Sequence, residues 1–224
     1  MNNTSLGNIS RLLHEERFMS MFGDFSNWRV DTFCRQMEAE KKKGRVLPFV
    51  RGLRLSAQLV YLVRDLLSDT GLTANWGQLV DNEGNLCSCE CDVIIHKEGY
   101  IRKWNGETNP IMDYRFIKQD KALVVISCKS FIRKADIDRE YCKNMRSYVD
   151  KLWLFAECCG PKSTAIIKRK AAEFGYEKFW PLYTWSKQTT PIPNRTGWMD
   201  FVSEVEKLKT YPPQTKRSRK SKNS

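Results

Sequence analysis

The run Ala122-Leu123-Val124-Val125-Ile126-Ser127 most narrows what this chain can fold into. It is almost wholly apolar and rich in β-branched residues, which suit a pleated strand. Such a strand has no polar face to turn toward water, so both of its faces must be covered. Downstream, Trp153–Ala156 and Phe179–Trp185 read as further strands, while Lys134–Lys151, Thr164–Phe174 and Trp198–Leu208 read as helices. Strands alternating with helices predict an α/β sandwich around a mixed sheet. Hydrophobic residues make up 41% of the 224 and aromatics 12%, enough to fill the core this needs.

The N-terminal side reads as helical. Ile9–Phe22 and Asn27–Lys43 carry helical patterns, with Ser26 as a start signal and Gly44 as a stop. Pro48 marks a connector. From Leu53 to Leu67, apolar residues at 55, 59, 62, 63, 66 and 67 share one helical face, and Gly71 lies just beyond. The texture then changes: Trp76–Val80 and Leu86–Ile95 read as strands joined by the turn Asp81-Asn82-Glu83-Gly84-Asn85. The stretch Lys97–Pro110 reads as a loop or hairpin insertion. The expected organisation is an N-terminal helical extension over 1–50, an α/β domain over 51–211, and a disordered basic tail over 212–224.

The net charge of +12 points to a polyanionic partner. The tail supplies five of these charges through Lys216, Arg217, Arg219, Lys220 and Lys222 and holds no acid, so the rest of the chain is basic as well. A basic body gains affinity for nucleic acid through counterion release. Along Lys134–Lys151 and just before it, Arg133, Lys134, Arg139, Lys143 and Arg146 form either a phosphate-facing stripe or a solvated charged face. The tail reads as a nucleic-acid arm, a localisation signal or a solubility tail. No apolar run approaches the ~20 residues a membrane helix needs, and Met1–Ser10 lacks a signal-peptide core. The expectation is a soluble, cytoplasmic protein with no membrane partner. Its eight cysteines are then reduced thiols. Cys87, Cys89 and Cys91 would share one face of a strand at about 6.6 Å intervals, too far apart to chelate zinc without a bend.

Two polar residues break the strand pattern. Asp92 sits beside Val93-Ile94-Ile95, and strands normally exclude aspartate. It either reaches solvent at a strand end or needs a cation or several donors as partners. Lys129 follows the run ending in Ile126-Ser127-Cys128, on the Ser127 side. It either snorkels to solvent or faces Asp92 across the sheet, where a lysine serves as a point charge for phosphate.

The succession helix, turn, Cys89-Glu90-Cys91-Asp92-Val93-Ile94-Ile95, then Val125-Ile126-Ser127-Cys128-Lys129-Ser130 and a basic helix resembles the PD-(D/E)xK nuclease superfamily, the restriction-endonuclease-like fold. The likeness spans about Gly52 to Ala156. It implies that Asp92 corresponds to the metal-binding aspartate and Lys129 to the second-motif lysine, with the carbonyl of Cys128 as a further ligand. The acid expected two residues before the lysine is replaced by Ser127, a weak magnesium ligand beside a carboxylate. The first helix offers Gln58 and Asp65 but no glutamate.

Three outcomes stay open. Glu90 completes the metal and catalytic set with Asp92; a migrated acid, Asp136 or Glu140, does so; or the centre has lost catalysis and keeps a basic binding surface. The resemblance thus implies a nucleic-acid-binding protein, with DNA the favoured partner. If active, it is a Mg²⁺- or Mn²⁺-dependent endonuclease, a phosphodiester hydrolase of defence or repair. The alternatives are a catalytically inactive DNA-binding or assembly subunit, or a module that binds protein partners or a second copy of itself.

Overall fold

The computed structural model describes Glu16 and residues 48–97, 102–103, 114–186 and 191–210. Helix α1 (Pro48–Leu66) turns Leu55, Leu59, Val63 and Leu66 inward at three- and four-residue spacing. It begins at Pro48, where a connector was expected; proline is favourable in a first helical turn, whose amide has no partner in any case. Asp69 and Gly71, at φ of 64° and 69°, turn the chain back into the sheet.

The sheet contains β1 (Leu72–Val80), β2 (Cys91–Lys97), β3 (Arg102–Lys103), β4 (Tyr114–Lys118), β5 (Ala122–Ile132), β6 (Lys151–Cys159), β7 (Lys178–Thr184) and β8 (Ile192–Pro193), in the order β3-β4-β1-β2-β5-β6-β7-β8. It is mixed. β5, β6 and β7 run parallel, joined by α2 (Arg139–Tyr148) and α3 (Thr164–Phe174), while β2 is antiparallel to β1 and to β5. The last helix, α4, spans Arg195–Lys207.

Three layers result. Val124, Ile126 and Cys128 of β5 pack with Trp153, Phe155, Trp180 and the inner faces of α1 and α4. Val125, Leu152, Leu154 and Ile94 pack on the other side against Met145 of α2 and Ile167 of α3. The run Ala122–Ser127 is therefore buried on both faces, as its composition predicts.

Several elements differ from the sequence reading. The expected strand Leu86–Ile95 is regular only from Cys91. The Asp81 carboxylate accepts the amides of Glu83 and Asn85, and Ser88 Oγ accepts the Leu79 amide at 2.8 Å, so side chains share the pairing there with a single Val80–Leu86 bridge. Cys87, Cys89 and Cys91 do not line one strand face. The expected helix Lys134–Lys151 is shortened to Arg139–Tyr148. Its start is set by Asp138, whose Oδ1 accepts the amides of Glu140 and Tyr141. A single 3-10 turn, Lys134–Asp136, precedes it. Within Lys97–Pro110, β3 pairs antiparallel with β4. Its partner β4, Tyr114–Lys118, is a strand that no sequence expectation covers. The helices expected within 1–43 and the tail after Tyr211 lie outside the described residues.

Candidate nuclease-like centre

The site lies where β2 and β5 part. Val93 pairs with Ile126 and Ile94 with Val125; continuing this register puts Asp92 opposite Ser127. In place of the next ladder bond, Asp92 Oδ2 accepts the backbone amide of Cys128 at 2.8 Å. Asp92 Oδ1 lies 3.3 Å from Ser56 Oγ, which also reaches the Gly52 carbonyl at 3.0 Å within α1. The first helix thus reaches the centre through a serine, not through Gln58 or Asp65. No motif signals Ser56, a small polar residue beside the apolar stripe.

Burial is the main influence on Asp92 and raises its carboxyl above the usual aspartate value. The Cys128 amide, the Lys129 charge and the Ser56 hydroxyl oppose this, while the Glu90 charge adds to the rise. Asp92 and Lys129, paired in the sequence reading, are therefore electrostatic neighbours. The Cys128 thiol turns into the core, and burial pushes its pKa well up. All seven described cysteines are free, and burial raises Cys91 to about 12. Cys91, Cys128, Cys142, Cys158 and Cys159 are buried packing thiols, while Cys89 is exposed.

The other acids are engaged or outlying. Glu90 is exposed and accepts Trp76 Nε1 at 2.7 Å. Asp136 accepts the Arg133 amide at 2.7 Å and pairs with its guanidinium at 3.3 Å. Glu140 is exposed on the first turn of α2, and Asp65 is exposed on α1. Among the described residues, no group of three or more His, Cys, Asp or Glu side chains is arranged to hold a metal ion. Mg²⁺ favours hard anionic oxygens in near-octahedral geometry. One bonded carboxylate beside a serine does not fit the two-acid centre that the PD-(D/E)xK pattern requires. The Cys128 backbone is the other group at Asp92, and what it offers there is an N–H.

The basic residues divide. Arg139 and Lys143 stand one turn apart on α2, both exposed, and neither forms a salt bridge among the described residues. Arg146 instead donates to the Asp150 carbonyl and pairs with Glu177 at 3.0 Å. Arg133 is held by Asp136, and the Lys134 carbonyl accepts Lys170 Nζ at 2.8 Å. Lys216, Arg217 and Arg219 lie outside the described residues. Tyr141 and Cys142 bring α2 against the centre: the charge of Asp92 acts on the Tyr141 hydroxyl, and that of Lys129 on the Cys142 thiol.

A helix leading into a mixed sheet flanked by helices on both faces defines an α/β sandwich, with an aspartate and a lysine where two of its central strands part. Solved structures share the fold. The chain resembles E. coli MS115-1 NucC in its cAAA-bound form, with a TM-score of 0.56 and 9% identity over 85% of this chain and 89% of that one. It also resembles cAAA-bound P. aeruginosa ATCC27853 NucC, with a TM-score of 0.54 and 11% identity over 85% and 90%. At these identities the likeness is one of fold. No family model and no curated protein sequence matches the chain.

Proposed function

We propose that this is a nuclease-fold nucleic-acid-binding protein, with DNA as its partner, and that the backbone is addressed at the Asp92–Lys129 centre. The observation that carries this reading is the pairing of a partly buried Asp92, tied to the Cys128 amide, with the charge of Lys129 beside it. The exposed Arg139 and Lys143 on the adjoining α2 offer further phosphate contacts, and the net charge of +12 favours a polyanion. With one carboxylate bonded into the centre, binding is the role this geometry supports best. We take the α/β domain to span 51–211 and the protein to be cytoplasmic, where its thiols stay reduced.

A second reading, a Mg²⁺- or Mn²⁺-dependent endonuclease, is favoured by one observation: the charge of Glu90 already acts on Asp92. Glu90 would then leave Trp76 to supply the second carboxylate. The test is a mobility-shift titration beside a plasmid-cleavage assay with each metal. The first reading expects salt-sensitive binding without cleavage. Cleavage abolished by both Asp92→Ala and Lys129→Ala would replace it with the second, and absence of any DNA binding would overturn both.

A further inference from the structure

A row of rings leads from the centre toward one edge of the sheet. β1 and β2 pair Asn75 with Ile94 and Gly77 with Cys91, so Trp76 alone on β1 faces the step Asp92–Val93 on β2. A bulge of this kind re-aims the side chains beside it. Trp76 is the register partner of Tyr114 on β4, and Gln78 that of Phe116. Residues two apart on a strand share a face, so Trp76 and Gln78 lie on one side, level with Tyr114 and Phe116. The rings of Trp76 and Tyr114 meet edge to face at 4.9 Å, and those of Tyr114 and Phe116 at 5.6 Å.

The row stands outside the core. All three rings are half-buried, and among the described residues none is packed on either hydrophobic core. Helix α1 packs on β1, β2 and β5, whereas β4 packs chiefly on its sheet neighbours β1 and β3. Two of the rings are tethered by their polar tips. Trp76 Nε1 donates to Glu90 at 2.7 Å, and the Tyr114 hydroxyl donates to Gln78 Oε1 at 2.8 Å. Gln78 is itself held, its Nε2 donating to the Ser88 carbonyl at 3.1 Å. Rings fixed in this way lose little freedom when a ligand settles on them. On the far side of β4, β3 sets Arg102 opposite Phe116 and Lys103 opposite Arg115, so two basic positions flank the row.

Every nucleobase has a π-face that can stack on an aromatic side chain. Within a duplex those faces are covered by neighbouring bases, and only an unstacked base offers one. An aromatic row beside a phosphate-binding centre therefore suits a strand whose bases are unpaired.

We infer that Trp76 and Tyr114 form a base-stacking platform, and that the DNA taken by this protein is single-stranded where it crosses them. Its backbone lies at the Asp92–Lys129 centre and the adjoining bases lie on the rings. The platform rests on the nucleic-acid reading proposed above and adds the form of the substrate.

The test is fluorescence anisotropy of the full chain with labelled probes of equal length: oligothymidylate, an abasic strand carrying the same phosphates, and a blunt duplex. At one salt concentration oligothymidylate should bind at least about tenfold more tightly than the abasic strand, the size expected for a stacked base. It should also bind more tightly than the duplex. Trp76→Leu and Tyr114→Leu should each lower the ratio of oligothymidylate to abasic affinity at least about fivefold, whereas Tyr114→Phe, which keeps the ring, should preserve it. The ratio removes any effect of the Glu90 charge released in Trp76→Leu, because that charge repels both strands alike.

Tighter binding of the duplex would overturn the inference, as would an unchanged ratio in both folded leucine variants. The comparison of probes on the unsubstituted protein decides the matter even if neither variant folds. Salt-sensitive binding of all probes with no preference for bases would sink the platform and leave the functional reading intact. Binding of none of them would sink both.

Discussion

The carboxylate of Asp92 accepts the backbone amide of Cys128 at 2.8 Å, tying the start of β2 to β5 just beyond their last backbone pair. A side chain here completes a sheet that the backbone does not. The bond supports an acidic group that burial disfavours, an arrangement that stability alone does not call for.

That tension is measurable. Burial raises the Asp92 carboxyl above the ordinary aspartate value. The folded state therefore binds this proton more tightly than the unfolded chain does, and stability falls as pH rises from about 4 through the raised value. Asp92→Asn keeps an oxygen for the Cys128 amide and removes the charge. It should be more stable at neutral pH by about 0.5–2 kcal/mol, the usual gain when a functional compromise is relieved. It should also lack this part of the pH slope. Denaturant unfolding of both proteins from about pH 4 to about pH 8 checks this; parallel curves would refute it.

Basic residues on one helix should behave differently. Lys143→Ala and Arg139→Ala should each weaken DNA binding whatever the sequence and lower the salt slope by about 1. Arg146→Ala should leave that slope unchanged, because Arg146 is held by the Asp150 carbonyl and Glu177. Fluorescence anisotropy across a salt series distinguishes the two groups.

Asp138 decides where α2 begins. Asp138→Ala removes the acceptor for the Glu140 and Tyr141 amides and should cost about 0.5–2 kcal/mol in denaturant unfolding. The loss should loosen the turn that presents Arg139, so DNA affinity should fall with stability.

Gly77 faces a close backbone approach. A Cβ there would lie 1.8 Å from the Arg115 carbonyl oxygen on the paired strand β4. Gly77→Ala should cost at least about 3 kcal/mol, the upper range for overpacking, because backbone cannot step aside as a side chain can. An unchanged melting temperature would show that β1 and β4 are not paired in this register.

The sequence alone determined the sandwich. A strand with no polar face must be covered twice, so Ala122–Ser127 required helices on both sides of the sheet, and β5 has them. It also singled out Asp92 and Lys129 as polar residues in segments otherwise committed to burial, and the fold makes the two electrostatic neighbours. Element boundaries were less legible where side chains compete with backbone: Asp81 and Ser88 delay β2 until Cys91, and Asp138 shortens α2. What meets Asp92 was decided by tertiary structure alone. Ser127 shows that a carboxylate is missing, but only the fold brings Ser56 from α1 to the Asp92 carboxylate. Contacts between residues so far apart in the chain follow from packing and carry no local pattern.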